Sequence, residues 1–558
     1  MKRRSALAAV TVVLSMVVVG CTGGAEEEQG AGGIKEGGTL RIATSSGISS
    51  MNPFVGFNQD DYAVWLYIYP SLLQTDTTTG EFAPNFATSW DVSPDGLTVT
   101  WHTVAGATWS DGEPLTAQDA AWTIDTILKY PRPTGAWEGS VGFLKSVEAT
   151  DDSTLVATYE RPSSTALSGL GGIPILPPQV WESYAIGDGK ALKTFENVPE
   201  GGEPLTSGGP FMLTEYRKND IALFQKNPSF YGSSPHIDGF GLQFFANEDA
   251  MITALKTGQL DAINEIPPTS VDTLKAAGME VFEGPALALR DFIINSNPDK
   301  PEHRELLDPK VREAFEYAVD REQIVATAWL GHASPGSVLI PEGDVSGGID
   351  WHNPNIEPLP FDIAKANEIL DSLGYTMGAD GIRIAGDHPM SYEVIFPNDE
   401  AGAGDRAFQI IQNGFKQIGV ELIQKKMDNN AAFDAMGAPD YKYLDFDFAM
   451  WDWFPALDPD FLLAAMTCDQ YGVWNDTGYC SPEYEQLYTA QQAAIDPTER
   501  QRIVYEMQEL VYNDRPYIIL TYDKRLDAWS PAWEGFVESS QGFFNAFSTQ
   551  SLLSVHRA

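Results

Sequence analysis

Ala6 to Val19 is almost continuously apolar, broken only by Thr11 and Ser15. At about 14 residues the run falls short of the roughly 20 that a membrane-spanning helix needs. No later stretch approaches spanning length, so the rest of the chain is expected to fold as a water-facing body around internal cores. Lys2, Arg3 and Arg4 precede the run. A short basic stretch before such an apolar segment is the layout of a secretory leader.

The run closes on Val18-Val19-Gly20-Cys21. Small residues before a cysteine resemble the lipobox of bacterial lipoproteins. That resemblance implies diacylglycerol on the Cys21 sulfur, cleavage before Cys21 and acylation of the new amine. Each buried CH2 of the acyl chains contributes about 0.8 kcal/mol of anchoring. The alternative is an ordinary signal peptide with an incidental cysteine. Residues 1–20 are thus expected to be a signal peptide and 21–36 a lipidated tether, rich in Gly, Ala and Glu around Glu26-Glu27-Glu28. The expected location is the outer face of the cell membrane, held there by lipid alone.

A chain of 558 residues exceeds one core, so several domains are expected. Its formal charge is −43, and loss of residues 1–20 removes three positive charges and no acid, leaving −46. Such a chain is repelled by nucleic acid and by anionic headgroups. The acidity reads either as solubility or as attraction for cationic solutes. The cysteines are Cys21, Cys468 and Cys480. With the first lipidated, the other two bracket Asp469 to Tyr479 and are expected to pair outside the cytoplasm. A loop of that length contributes about 3 kcal/mol. No CxxC and no nearby histidine supports a metal reading, so neither metal nor cofactor is expected.

Strand and helix patterns alternate along the body. Thr39 to Ala43 reads as a strand, as does Leu97 to His102 after the turn Ser93-Pro94-Asp95-Gly96. Thr116 opens a helix with Asp119 in capping-box position, and Ala120, Ile124, Ile127 and Leu128 recur at helical spacing. Pro309 starts another helix, with Val311, Ala314, Phe315 and Ala318 on one face. Further helices are expected at Phe361–Leu373 before Gly374, at Ala407–Ile418 before Gly419, and at about 483–493 and 498–512. Val420 to Ile423 reads as the strand after Gly419. Alternation of this kind over this length favours an α/β body of more than one lobe. The chemistry-bearing motifs HExxH, GxSxG, GxxxxGK[ST] and GxGxxG are absent, and the histidines are scattered. No enzyme is expected. With 78 acids a glycosidase pair can always be drawn, so that pairing carries no specificity.

Several segments, in order, resemble the solute-binding proteins of peptide-type ABC importers, the extracellular family 5 class. They include Gly38-Thr39-Leu40-Arg41, Met51-Asn52-Pro53-Phe54 and Gly80 to Trp90. The strongest is Trp109-Ser110-Asp111-Gly112-Glu113-Pro114-Leu115-Thr116-Ala117-Gln118-Asp119. Ser207-Gly208-Gly209-Pro210-Phe211, Ala254 to Asp261, and Val311 to Arg321 follow. The resemblance spans Gly37 to Val537. It implies a two-lobed periplasmic-binding-protein-like α/β fold of the large type II class, with an extra subdomain in lobe one. The divisions it suggests are 37–74, 200–288 and 520–558 for lobe one, 75–199 for the extra subdomain, and 289–519 for lobe two. It further implies a monomer that closes on a small solute, most readily a peptide, and hands it to an ABC permease with its ATPase. Oligosaccharide binding, a ligand-sensing lipoprotein and a secreted hydrolase are the alternatives.

By the same resemblance, the cleft wall carries Ala449-Met450-Trp451-Asp452-Trp453-Phe454, followed by Asp458-Pro459-Asp460. Trp451 and Trp453 offer flat apolar faces that can hold a cation, and Asp452 offers a carboxylate for a ligand ammonium. An aromatic core strand with a solvated acid is the competing reading. Dipeptide-binding relatives place that acid where this chain has Phe454-Pro455-Ala456. Arg290 is a candidate cleft cation, or else half of a structural ion pair. Ser45 and Ser46 follow the first strand, where the class often lines its cleft. Phe396 to Glu400 offers no arginine to grip a ligand carboxylate, and Arg406 after it reads as a solvated helix residue.

Overall fold

The computed structural model describes residues 34–558 except 46, 57–58, 132–133, 138, 344, 401, 455–457 and 540–545. Cys21, the leader and most of the tether lie outside the described residues. Lys35 and Glu36, assigned to the tether by composition, bond to the body. Lys35 bridges to Arg557, and Glu36 meets His236 Nδ1 at 2.8 Å.

Among the described residues one 11-stranded sheet runs through the molecule. Its order is Glu421–Met427, Ser391–Pro397, Phe448–Trp453, Glu280–Ile294, Tyr517–Trp529, Ala262–Asn264, Thr39–Thr44, Gly239–Phe244, Ile221–Lys226 and Phe211–Arg217, with Ala333–Pro335 beside Tyr517–Trp529. The two longest strands, of 15 and 13 residues, join its halves. They pair antiparallel from Glu280 with Trp529 to Ile293 with Tyr517, and the register slips near Ala286 and again at Arg290/Asp291.

Each half owns a core. One buries Leu40, Ile42, Phe211, Phe224 and Phe240 together with Trp529 and Trp533. The same cluster takes in Trp101, Trp109 and Ile124 of a segment built on a separate four-stranded sheet. The other half packs Phe292, Phe315, Phe415 and Phe448 on one side of its sheet and Leu289, Trp453, Tyr484 and Met507 on the other.

The sequence motifs act as scaffold. Thr116 N–H donates to Asp119 Oδ2 at 2.7 Å and Gln118 N–H to Thr116 Oγ1 at 3.2 Å, capping the helix Ala117–Lys129. Trp109 is fully buried, and its indole N–H reaches Asp119 Oδ1 at 3.3 Å. A Cβ on Gly209 would lie 2.6 Å from Tyr67 O, so only glycine fits there. Pro309 opens Pro309–Tyr317 behind the Asp308 cap, and Val311, Ala314, Phe315 and Ala318 are buried. The helix expected from Phe361 begins at Ile363, because Asp362 caps it. The helix expected from Ala407 begins a turn earlier, at Ala403, which places Arg406 in its first turn.

Candidate functional site

The parallel strands of both halves end at one place. Thr39–Thr44 runs parallel to Gly239–Phe244 and to Ala262–Asn264. Ser391–Pro397 runs parallel to Glu421–Met427 and to Phe448–Trp453. Ligands of open α/β sheets bind just beyond the carboxyl ends of such strands. The residues beyond these six ends are Ser45, Phe245 to Asp249, Glu265, Asn398 to Glu400, Asn429 with Asn430, and Phe454. Members of every group line one cavity of ≈ 1650 Å³.

The wall from the first half is carboxylate-rich: Asp60, Glu248, Asp249 and Glu265 all line the cavity. Asp60 is buried and accepts from Thr44 Oγ1 at 3.0 Å and Asn264 Nδ2 at 3.3 Å. Burial pushes its carboxyl up to about 6, against the pull of Arg525. Glu265 takes the left-handed backbone region, φ 68°, with its N–H on Asp527 Oδ1 at 2.9 Å. Arg525 Nη1 meets Glu265 Oε2 at 3.1 Å, and Arg525 Nε meets Asp527 Oδ1 at 3.1 Å.

The opposite wall sets rings among further acids, Glu400, Asp452, Asp458 and Asp460. Trp451, Trp453, Phe454, Phe461 and Trp474 line it. Trp453 is 7% exposed and its ring lies 5.9 Å from Phe461 and 6.3 Å from Trp474. Its indole N–H donates to Asp476 Oδ2 at 3.1 Å. Trp451 is half-buried against the same core. Cys468 and Cys480 are bonded to each other, and the loop they close carries Trp474 and Asp476 to the cavity.

Arg290 and Asp452 are directly opposite on neighbouring strands and lie 4.0 Å apart. Arg290 also pairs with Glu400 and meets Asp523 Oδ2 at 3.0 Å. Burial opposes its charge, but Glu400, Asp523 and Asp452 outweigh burial and hold it more firmly protonated than usual. Arg290 therefore takes the ion-pair alternative while still lining the cavity. Asp458 is held by Arg500 and accepts from Ser168 Oγ at 3.2 Å. Ser45 stands exposed at the cavity edge; Ser46 lies outside the described residues.

Arg406 corrects the expectation of a solvated side chain. It is half-buried and lines the cavity, its Nη2 donates to Ala328 O at 2.8 Å, and its buried Nε has no hydrogen-bond partner. The earlier helix start turns it inward. Asp60, Glu265, Trp474 and Asp476 were also missed. The signal for Glu265 was its place after a strand, in Asn264-Glu265-Ile266-Pro267. Trp474 and Asp476 reach the site through a disulfide-closed loop, which no local pattern reports.

Two α/β halves joined by two crossing strands, with one cavity at the strand ends of both, define a two-lobed periplasmic-binding-protein fold. The model for "Bacterial extracellular solute-binding proteins, family 5 Middle" matches residues 81–472, and the chain belongs to that family. Protein XP55 of Streptomyces lividans is 26% identical over 559 residues, covering 98% of this chain and 94% of that protein. A probable ABC transporter-binding protein of Deinococcus radiodurans is 24% identical over 547 residues, covering 90% of each. The structure of DppA from Helicobacter pylori in complex with the peptide STSA matches with TM-score 0.77 and 22% identity, over 94% of this chain and 98% of that one. No helix among the described residues is long and apolar enough to cross a membrane.

Proposed function

We propose that this solute-binding protein is the receptor of an ABC importer and captures peptides, with a preference for basic ones. The observation that carries the reading is the cavity itself, with an indole wall facing a carboxylate wall across ≈ 1650 Å³. That exceeds the roughly 300–1,000 Å³ of a pocket for a drug-sized ligand and suits an extended one. The resemblance to a transporter-binding protein and to a peptide-bound fold supports the same reading. Trp451 and Trp453 supply area, Asp452 and Arg290 form the paired floor, Ser45 edges the mouth, and Ser46 is assigned to ligand binding with it. Arg406 is the cation placed to meet a ligand carboxylate.

In this reading residues 37–74, 200–288 and 520–558 form lobe one, 75–199 its extra subdomain and 289–519 lobe two. A ligand that touches both lobes shifts the population toward the closed state. The closed monomer is presented to a permease and its ATPase, and the ligand leaves unchanged, without turnover. Lipid on Cys21 keeps the receptor at the outer membrane face, so Cys21→Ser should release it to the medium with unaltered affinity. Calorimetry with Ala-Lys-Ala, Ala-Ala-Ala and Ala-Glu-Ala is expected to rank affinity in that order. Binding of none of the three, alongside a sugar in the mass spectrum of co-purified ligand, would overturn the peptide assignment.

A further inference from the structure

Behind the indole wall lie two buried carboxyls, Asp476 and Asp291. Asp476 lines the cavity at 2% exposure. Its Oδ2 accepts from Trp453 Nε1 at 3.1 Å and its Oδ1 accepts from Tyr517 Oη. Both side-chain donors are neutral, so neither supplies a countercharge. Asp291, on the crossing strand, is 0% exposed and neither of its carboxyl oxygens has a hydrogen-bond partner. A carboxylate left in that state would be a bare buried charge, so Asp291 holds its proton.

The groups around the pair offer little relief. Asp452 and Glu400 act on Asp291 with the same sign as Asp476 does, and the guanidinium of Arg290 is the opposing charge. That guanidinium is already shared among Glu400, Asp523 and Asp452. Tyr443 and Tyr517 also feel the Asp476 charge, and burial raises both phenols, so they stay neutral. Trp453 and Trp474 present their rings to the same cavity, the surfaces on which an alkylammonium or guanidinium rests.

We propose that capture of a cationic ligand by this cleft is proton-linked, and that Asp476 is the group that gives up the proton. This rests on the cleft being the ligand site, as proposed above. A positive charge arriving at the indole wall supplies the countercharge that Asp476 lacks and favours its ionised form. The proton passes to solvent, and the ligand gains a buried carboxylate beneath Trp453. Burial, against the pull of the Tyr517 and Trp453 hydrogen bonds, holds the ligand-free carboxyl up to about 7, so the exchange falls within the ordinary range of a living cell's surroundings. Since binding favours the deprotonated form, affinity rises with pH below about 7 and levels off above it.

The test is calorimetry of N-acetyl-Ala-Lys-Ala, whose only amine, on lysine, titrates at about 10.4, in buffers of unlike ionisation heat. At about pH 6 the intact protein is expected to release a proton fraction approaching one per ligand, and none at about pH 9. Affinity should climb by up to about tenfold per pH unit between those limits below the plateau. Asp476→Asn should abolish the release and flatten the profile; equal release by both proteins overturns the proposal. A second measurement needs no ligand. The Trp453 indole N–H resonance, assigned with Trp453→Phe, should move with a midpoint near 7, and a resonance flat from about pH 5 to 9 overturns the proposal as well. Should no tripeptide bind, this titration still decides whether Asp476 carries the exchangeable proton.

Discussion

The two walls of the cleft are made of the same architectural part, the carboxyl ends of parallel strands; acids line both, and the tryptophans Trp451, Trp453 and Trp474 gather on one. On one side the chain beyond each strand supplies acids: Asp60, Glu248, Asp249 and Glu265. On the other, the last strand residues and the disulfide-closed loop supply the rings Trp451, Trp453 and Trp474 among the acids Glu400, Asp452 and Asp476, and the arginine most central to that wall is consumed by Glu400, Asp523 and Asp452. The two kinds of side chain divide the labour. Aromatic faces give area at low entropic expense and tolerate many ligand shapes, while fixed carboxylates select the sign of the charge. A receptor that must accept many side chains yet prefer one charge needs both kinds of wall.

Four sets of substitutions separate what the two walls contribute. The largest effect is expected from Arg525→Met, which leaves the fully buried Asp527 without its partner. Loss of a buried partner should lower unfolding free energy by about 3–5 kcal/mol, read from a denaturant titration. Serine at both Cys468 and Cys480 comes next, opening the loop that carries Trp474; the chain-entropy model gives about 3 kcal/mol. Ligand affinity of that variant should fall too, since one indole of the wall is then untethered. Third, Trp451→Ala should weaken Ala-Lys-Ala binding by about 10- to 100-fold with little change in melting temperature, because Trp451 is only half-buried. Adding Trp453→Ala should abolish binding, but at a cost to stability as well, Trp453 being a core residue. Unchanged calorimetry for that pair would remove the aromatic wall from the site. The smallest effect belongs to Glu265→Gln. Its side chain is 48% exposed, so stability should hold. Binding of Ala-Lys-Ala should fall by about 3- to 10-fold while that of Ala-Ala-Ala is unaltered.

Much of the scaffold was legible because its signals are local. The capping box at Thr116 and Asp119, the proline start at Pro309 and the glycine stops at Gly374 and Gly419 each act within one turn of chain. The Trp451-Asp452-Trp453 segment was singled out by its resemblance to the family's cleft wall, and its side chains do line the cavity. What could not be read was the partnering. Whether Arg290 meets ligand or protein depends on residues 400, 452 and 523, which only the folded sheet brings together. Arg406 was misjudged through a helix boundary set one turn late, and a turn decides which way a side chain points. Asp476 sits in a polar loop whose sequence looks solvated, and its burial comes from Trp453 and Tyr517 closing over it.

The chain crosses between the two halves twice, and this sets an order of events during synthesis. The core holding Phe292, Phe315, Phe415 and Phe448 is encoded almost wholly between the crossings, so it can close once the residues up to Leu520 have emerged. The core begun by Leu40 and Ile42 is different: it waits for Trp529, Trp533 and Phe547, which are made last. The half encoded first is therefore the half completed last. Until then its core lacks the cover of Trp529, Trp533 and Phe547, and the first half is held open for the last thirty residues of the chain.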